Sequence, residues 1–275
     1  MIKDIIVNLG LGQHDPAGDF AISLAENFDA HILGVAFAYD PIIPVSDMGG
    51  IPPDFIDSQR AEADESARTA VYRFEKATKR AGISSESLKL DASISGASDR
   101  FAKMARRFDL AVVGQPEQEK SSAEILIDEG VLLDSGHPVL VIPYIQKQGL
   151  KLDRIIVCWD GSRAASRAIT DAMPLLRKAK QVDVVMVSRK AEESDEVAGA
   201  DLGQHLARHG LKVDLKRMIS PDTDVAAIVL SYAADSSADM IVMGGYGHSR
   251  LREFVLGGAT RGILSAMTVP TLLSH

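Results

Sequence analysis

The sequence predicts an α/β fold made of two tandem doubly wound domains, each with a five-stranded parallel sheet covered by helices. Three observations support this prediction. Short apolar runs alternate with longer segments in which apolar residues recur at helical spacing. Hydrophobic residues make up 46% of the 275 residues and aromatic residues only 5%, so the core must be largely aliphatic, as in parallel sheets buried on both faces. The third observation is that the two halves of the chain resemble each other.

This internal repeat is visible in two pairs of segments. Lys3–Val7 (KDIIV) resembles Asp153–Val157 (DRIIV), and the two are offset by 150 residues. Asp109–Gly114 (DLAVVG) resembles Asp239–Gly244 (DMIVMG) with an offset of only 130 residues. The smaller offset predicts an insertion of about 20 residues in the first half. We place it at residues 39–58, which are rich in Pro, Gly and Asp and are expected to form a loop.

The first half is predicted to contain five strands joined by helices. Its strands are the apolar runs Ile5–Val7, Ile32–Phe37, Leu88–Leu90, Leu110–Gly114 and Val139–Ile142. A helix from about Gln59 to Arg80 is predicted from apolar residues at helical spacing, namely Ala63, Ala67, Ala70, Val71 and Phe74.

The second half repeats this order of elements. Its predicted strands are Ile155–Cys158, Val182–Ser188, Val213–Lys216, Met240–Gly244 and Thr271–Leu273. Its predicted helices are Arg163–Ala179, Asp201–His209, Val225–Asp235 and Thr260–Ala266. The halves join near residues 144–150, where a polar stretch ends in glycine, so the predicted domains are 1–146 and 151–275.

Composition excludes several classes of function. The formal net charge is −8, and the basic residues are scattered, which argues against a nucleic-acid partner. The sequence contains neither a signal-peptide pattern nor an apolar run long enough to cross a membrane. The single cysteine, Cys158, lies in an apolar strand and is expected to behave as a small buried hydrophobic residue. We therefore expect a reduced, cytoplasmic protein without a membrane partner.

A glycine-rich segment near residue 250 carries the clearest chemical signal. Gly244 follows the buried strand Met240–Met243, Gly247 comes three residues later, and Gly257 and Gly258 precede the last helix. Glycines let the backbone approach a ligand closely. Free N–H groups and the helix dipole at a helix start favour an anion such as phosphate.

This spacing, Gly244-x2-Gly247-x9-Gly257, together with an Asp at the end of the first strand of the same half, resembles the universal stress protein family. The resemblance is specific in the second half and weak in the first. It implies a Rossmann-like fold of the adenine nucleotide alpha-hydrolase type, and a stress-response module that binds ATP, with or without Mg²⁺. We expect the second half to bind the nucleotide.

The resemblance also implies which residues form the nucleotide site. Asp160 would lie at the adenosine end, and Val187 and Met243 would flank the base. The phosphates would be lined by Gly244, Gly247, Gly257, Gly258 and Thr260, with His248 placed to touch a phosphate when protonated. One departure from the family pattern is Gly258, which stands where Ser or Thr is usual. The loss of that hydroxyl is expected to weaken the site without abolishing it.

The first half lacks the same pattern. By the offsets of the repeat, Asp160 corresponds to Gly10, Gly247 to Glu117 and Gly257 to Ile127. Three acidic residues, Glu124, Asp128 and Glu129, fall where phosphates would lie. We expect a degenerate domain with a structural or regulatory role.

Other constellations point to no further chemistry. His205 and His209 stand at i and i+4 on a predicted helix, but no third ligand is spaced to complete a metal site, and we expect none. The sequence contains no complete P-loop, GxGxxG or nucleophile-elbow motif. We therefore assign no catalytic residue and expect slow ATP hydrolysis at most.

One alternative function and two modes of assembly stay open at this stage. Both halves could form an interaction scaffold for protein partners, in which the glycines serve only turn geometry. The last strands of the halves, Val139–Ile142 and Thr271–Leu273, could pair so that the chain forms an internal pseudo-dimer. A homodimer of whole chains is a further alternative.

Overall fold

The computed structural model describes residues 1–41, 52–116, 127, 130–188, 194–219, 224–245 and 258–275. The chain forms two compact units. Ile2–Ser135 is the first unit and Gly136–His275 is the second. The predicted domains divided at residues 146–151, so the structure places the division earlier in the chain.

The first unit contains four described parallel strands with helices between them. The strands are β1 (Asp4–Asn8), β2 (His31–Tyr39), β3 (Ser85–Ala92) and β4 (Leu110–Gly114). The helices are α1 (Pro16–Phe28), α2 (Pro53–Ala81) and α3 (Ile94–Ala105). The strand order is β3-β2-β1-β4. Strands β2 and β3 lie on one side of β1, and β4 lies on the other side.

The second unit contains six described strands and four helices. The strands are β5 (Val139–Ile142), β6 (Arg154–Cys158), β7 (Gln181–Ser188), β8 (Val213–Ile219), β9 (Met240–Gly244) and β10 (Thr271–Ser274). The helices are α4 (Arg163–Leu176), α5 (Ser194–Arg208), α6 (Val225–Asp235) and α7 (Gly258–Ala266). Their strand order is β5-β10-β9-β6-β7-β8.

Strand β5 is the one described strand of the second unit that runs antiparallel to its neighbour in that unit. The five strands β6–β10 are parallel, as predicted for the second half, but β5 pairs antiparallel with β10, and Leu140 lies opposite Leu272. All five strands predicted for the first half are present, and the fifth, β5, lies beyond Ser135 and so belongs to the second compact unit. Without β5, β10 would be an edge strand with unpaired backbone groups. The predicted pairing of the last strands of the two halves is present.

Apolar strand residues and capped helices account for these elements. The side chains of β1 from Ile5 to Val7 are fully buried, as are those of β6 from Ile155 to Val157. Each of the helices that follow these strands begins at a polar cap. Asp15 accepts a hydrogen bond from the Gly18 N–H of α1, and Ser162 accepts one from the Ala165 N–H of α4.

In each unit, the carboxylate of one aspartate accepts hydrogen bonds from the start of the central strand. In the first unit, Asp109 accepts hydrogen bonds from the backbone N–H groups of Lys3 and Asp4 at 2.7 and 3.1 Å. In the second, Asp239 accepts equivalent bonds from Asp153 and Arg154 at 2.7 and 2.9 Å. Both aspartates begin the matching segments DLAVVG and DMIVMG, so the internal repeat extends to a side-chain contact.

The predicted loop at 39–58 needs correction at both ends. Tyr39 is the last residue of β2, and α2 begins at Pro53 rather than near Gln59. Pro is favoured in the first turn of a helix because its missing N–H has no partner there, and Pro52 and Pro53 therefore begin this helix rather than extend a loop. Residues 42–51 lie outside the described part of the chain.

No helix in the described part of the chain has the length and apolar character needed to cross a membrane.

Candidate functional site

The predicted site lies where the strand order of the second unit reverses. The chain runs from β6 outward to β7 and β8, then returns to the other side of β6 to form β9 and β10. Open α/β sheets bind ligands at such a switch point, outside the carboxyl ends of the strands. Here the switch point lies between β6 and β9.

The strand register brings three of the predicted site residues to this edge. Cys158 pairs with Val185 on β7, and Val157 pairs with Val242 on β9. Asp160 follows β6, Val187 is near the end of β7, and Met243 is near the end of β9, so all three lie one or two residues beyond these pairs. Asp160 is exposed, Val187 is half-buried, and Met243 is 7% exposed. An exposed carboxylate and two apolar residues therefore share one edge.

The turn that carries Asp160 is built from local contacts. Asp160 accepts a hydrogen bond from the Ser162 N–H at 2.9 Å, and Gly161 has a left-handed backbone with φ of 74°. Ser162 is the N-cap residue of α4. The turn is short and leaves the Asp160 side chain exposed.

Gly244 has a packing role that the glycine motif did not reveal. A Cβ atom at this position would lie 2.5 Å from the backbone N of Ala165, 2.6 Å from the carbonyl carbon of Ala164 and 2.8 Å from its Cβ. The start of α4 therefore packs directly against the end of β9. This glycine is required for helix–strand contact whether or not a ligand is bound.

The start of the glycine-rich segment is anchored to β10. Ser274 pairs with Gly244 in the parallel ladder, and the Gly245 N–H donates to the Ser274 carbonyl at 2.8 Å. The His275 ring Nδ1 lies 3.3 Å from the Gly245 carbonyl oxygen. Both backbone groups of Gly245 thus have partners on the neighbouring segment.

Helix α7 offers an open start. Gly258 is its first residue and is exposed, and among the described residues no atom beyond its own helix backbone and chain neighbours lies within 4 Å of the position that a Cβ would take. Thr260, two residues further, is only 4% exposed. Of these two predicted phosphate contacts, Gly258 therefore presents accessible backbone, whereas Thr260 is buried in the helix packing.

The remaining predicted phosphate contacts, Gly247, His248 and Gly257, lie outside the described residues. They stay predictions.

The cysteine next to the site is unsuited to nucleophilic chemistry. Burial raises the pKa of the Cys158 thiol to about 12, and the negative charge of Asp160 adds to this effect. The thiol is therefore protonated at neutral pH, whereas the nucleophile would be the thiolate.

The corresponding edge of the first unit is arranged differently. Gly10, the counterpart of Asp160, accepts a hydrogen bond at its carbonyl from the Arg73 side chain of α2 at 2.7 Å. Ile127, the counterpart of Gly257, is fully buried. Glu117, Glu124, Asp128 and Glu129 lie outside the described residues. Gly10 therefore offers no carboxylate where the second unit has the exposed Asp160.

His205 and His209 are neighbours on α5, with ring centroids 4.8 Å apart. Arg177 Nη2 lies 3.4 Å from His209 Nδ1, and this cation disfavours a metal ion beside the pair. Across the described ranges, no group of three or more His, Cys, Asp or Glu side chains could hold a metal ion.

Sequence reasoning missed Asp15 and Arg73. Asp15 precedes Pro16 at the start of α1, which is a recognisable N-cap signal. Nothing in the sequence links Arg73, more than fifty residues away, to the same loop.

Sequence comparison relates the second half of the chain to a known family. The sequence profile of the Universal stress protein family matches residues 151–275. A universal stress protein of Synechocystis sp. is 22% identical over 170 residues, which cover 60% of this chain and 57% of that relative.

Solved structures extend the likeness in fold to nearly the whole chain. A universal stress protein from Archaeoglobus fulgidus DSM 4304 has a TM-score of 0.70 at 18% identity, covering 98% of this chain and 97% of that one. A protein of unknown function from Pseudomonas aeruginosa PAO1 has a TM-score of 0.66 at 12% identity, covering 99% and 92%.

The second unit is thus an α/β domain whose candidate ligand edge lies at a switch point of a parallel sheet. The model of the universal stress protein family matches residues 151–275, and the predicted resemblance is confirmed.

Proposed function

We propose that the second unit binds an adenine nucleotide, ATP in the first instance, at the switch point between β6 and β9. Asp160 would bind the adenosine part, and Val187 and Met243 would flank the base. Gly244, Gly247, Gly257, Gly258 and Thr260 would line the phosphates, with His248 beside them. The chain would act as a cytosolic stress-response module whose contacts with protein partners depend on the nucleotide.

The observation that carries this proposal is the convergence at one sheet edge. The exposed carboxylate of Asp160 and the strand end at Gly244 lie on adjacent strands at the switch point. A nucleotide needs an apolar surface for the base, polar groups for the ribose and an anion site for the phosphates. The first two are represented by Val187, Met243 and Asp160.

The anion site would be supplied by the start of α7. Gly258 is exposed there, and its open surroundings leave room for a phosphate oxygen to approach the backbone. The family pattern usually adds a hydroxyl at this residue, and its absence predicts modest affinity. Bound Mg²⁺ would neutralise phosphate charge, and we propose no residue of the chain as its ligand.

Calorimetry on the full chain tests the proposal. Titration with ATP, with and without Mg²⁺, is expected to give saturable binding to one site per chain. A Gly247→Glu variant should bind more weakly because its carboxylate would repel the phosphates. An absence of heat at sub-millimolar protein and nucleotide would overturn the proposal.

Gly258→Ser is the sharper variant because it adds the missing hydroxyl where nothing obstructs it. A hydrogen bond to a charged group contributes about 1.5–3 kcal/mol, so ATP affinity should rise by about tenfold or more. Val225→Ser, which places a serine at the first residue of α6, is the matched control and should leave the affinity unchanged. Equal affinities of the Gly258→Ser variant and the unmodified chain would contradict a phosphate site at α7.

One observation favours a second candidate, a protein-interaction scaffold without a nucleotide. Gly244 is fully explained by its contact with Ala164 and Ala165, so this glycine need not signal a ligand. On this alternative, Gly257→Ala would change the stability of the chain but no ligand affinity. The same calorimetry distinguishes the two candidates.

We further propose no more than slow hydrolysis of ATP. A homodimer of whole chains stays an alternative.

A further inference from the structure

The loop between β1 and α1 in the first unit is held by a single arginine. Arg73 of α2 donates hydrogen bonds to the carbonyl oxygens of Gly10 at 2.7 Å, Gly12 at 2.6 Å and Gln13 at 3.3 Å. All three acceptors belong to the seven residues from Leu9 to Asp15 that separate β1 from α1. One guanidinium therefore holds most of the loop against α2.

Asp15 completes this arrangement at the end of the loop. Its side chain is 6% exposed, and its Oδ2 lies 3.7 Å from Arg73 Nη2. Its Oδ1 accepts a hydrogen bond from the Gly18 N–H at 3.0 Å, and a Gly10 N–H is a further donor. A Cβ at Gly18 would collide with the Asp15 carboxylate, so the backbone is shaped to admit this group. We call Asp15, Arg73 and the loop they hold the clasp.

The corresponding loop of the second unit is shorter. Only the four residues Trp159–Ser162 connect β6 to α4; Asp160 accepts a hydrogen bond from the Ser162 N–H, and Ser162 accepts one from the Ala165 N–H. Asp160 is exposed, whereas Asp15 is buried. The two loops therefore differ in length and in the burial of their aspartates.

Burial is the dominant influence on Asp15. It raises the pKa of this carboxyl from 3.8 to about 6, against the lowering effects of the Gly18 N–H, Arg73 and the Gly10 N–H. The charged groups that act on it are Arg73 from α2 and Asp19 from α1, and Asp19 adds slightly to the increase in pKa. In an open loop the carboxyl would be hydrated and would return towards its ordinary pKa.

We propose that Asp15 and Arg73 form a proton-operated clasp on the first unit, which holds the β1–α1 loop closed against α2 and closes more tightly when Asp15 takes up a proton. The first unit would then respond to pH, independently of any nucleotide bound by the second unit.

The direction of the pH effect on the loop follows from the linkage between proton binding and loop closure. The closed state has the higher pKa and therefore binds the proton more tightly, so acid favours closure and the loop opens more readily as Asp15 ionises. This stabilisation is complete below pH 3.8 and is lost as the pH rises through about 6. The two pKa values predict that the opening equilibrium is about tenfold larger at pH 7.5 than at pH 5.

Amide hydrogen exchange on the full chain without nucleotide tests the proposal. After correction for intrinsic rates, peptides covering residues 9–20 should be about tenfold less protected at pH 7.5 than at pH 5. An NMR titration of the Asp15 carboxyl should give a midpoint near 6. Equal protection at the two pH values, or a midpoint at the ordinary value for aspartate, would overturn the proposal.

Variants separate a proton-operated clasp from general acid stabilisation. Asp15→Asn keeps an N-cap residue without a titratable proton, so the loop should lose its pH dependence. Arg73→Met should lower protection of the loop at both pH values, because three carbonyl partners are lost. Arg68→Met, which removes an exposed arginine one turn away on α2 that pairs with Asp64, is the matched control and should behave as the unmodified chain. Unchanged pH dependence in Asp15→Asn would overturn the proposal.

Discussion

Gly244 and Gly258 belong to the same glycine-rich segment, but their surroundings differ. Gly244 is enclosed by the backbone of Ala164 and Ala165, whereas no such neighbour from the described part of the chain lies where a Gly258 side chain would extend. Gly244 therefore has a structural function in any state of the protein. Gly258 is the one at which ligand binding can be altered without disturbing the fold.

Replacing Gly244 tests this distinction. Gly244→Ala should lower the free energy of unfolding by about 1–3 kcal/mol or more, because the new methyl group meets backbone atoms that cannot move aside. Gly258→Ala is the matched control and should change stability by less than about 1 kcal/mol in either direction. Urea unfolding of the two variants measures both effects. Equal stabilities would show that α4 can shift away from β9 at little cost.

At the scale of single elements, the strand pair β5–β10 is the most consequential contact. The family profile begins at residue 151, after β5, whereas the compact unit begins at Gly136. The β10 residues from Thr271 to Leu273 are almost fully buried, and β5 is one of their two strand neighbours. A fragment cut at the family boundary would therefore expose an apolar strand edge.

Fragments 136–275 and 151–275 should accordingly behave differently. The longer fragment retains the β5–β10 ladder and should be monomeric, whereas the shorter one should associate through its unpaired β10 edge. Light scattering after size-exclusion chromatography, over a range of concentrations, measures the difference. If both fragments were monomeric and equally stable, β5 would contribute little to the second unit.

The strands and their order along the chain could largely be predicted from sequence, because a short run of apolar residues indicates a buried strand. Met240–Gly244 and Val225–Asp235 have the predicted bounds, and α5 begins earlier than predicted, at Ser194. The direction of β5 relative to β10 could not be derived from its own residues, since Val139–Ile142 would be equally apolar in either orientation.

The polar contacts were less predictable than the strands. Asp183 lies in the apolar strand β7 and is fully buried, which its sequence context does not explain. It accepts hydrogen bonds from Arg154 at 2.5 Å, Tyr232 at 3.0 Å and Gln181 at 3.1 Å. Like Arg73 and the β1–α1 loop, Arg154 and Tyr232 are distant from their partner in sequence, and such pairs depend on tertiary structure. Of the candidate site, sequence motifs predicted the strand ends but not the burial of Thr260.

At the scale of the whole molecule, the division into two compact units predicts how a ligand acts. A nucleotide bound at the switch point of the second unit contacts only that unit in our proposal. It should stabilise the second unit by about 2.7 kcal/mol when present at one hundred times its dissociation constant. The first unit should not gain this stability.

Hydrogen exchange with and without ATP measures this selectivity. Peptides from Gly136–His275 should gain protection, and peptides from Ile2–Ser135 should not. The Gly247→Glu variant is the control, because it should bind more weakly and show a smaller gain in the second unit at the same nucleotide concentration. Equal protection of both units by ATP would mean that the nucleotide acts on the chain as one cooperative body.

The β5–β10 ladder also has a consequence for folding while the protein is being synthesised on the ribosome. Leu140 and Leu272, which face each other in the ladder, are separated by 132 positions in the chain. At roughly 5–20 residues per second, β5 emerges on the order of ten seconds before its antiparallel partner has been made. During that interval its four apolar residues have no β10 to pair with, which makes them a candidate binding site for a chaperone. The rate of translation therefore sets the earliest time at which this sheet can be completed.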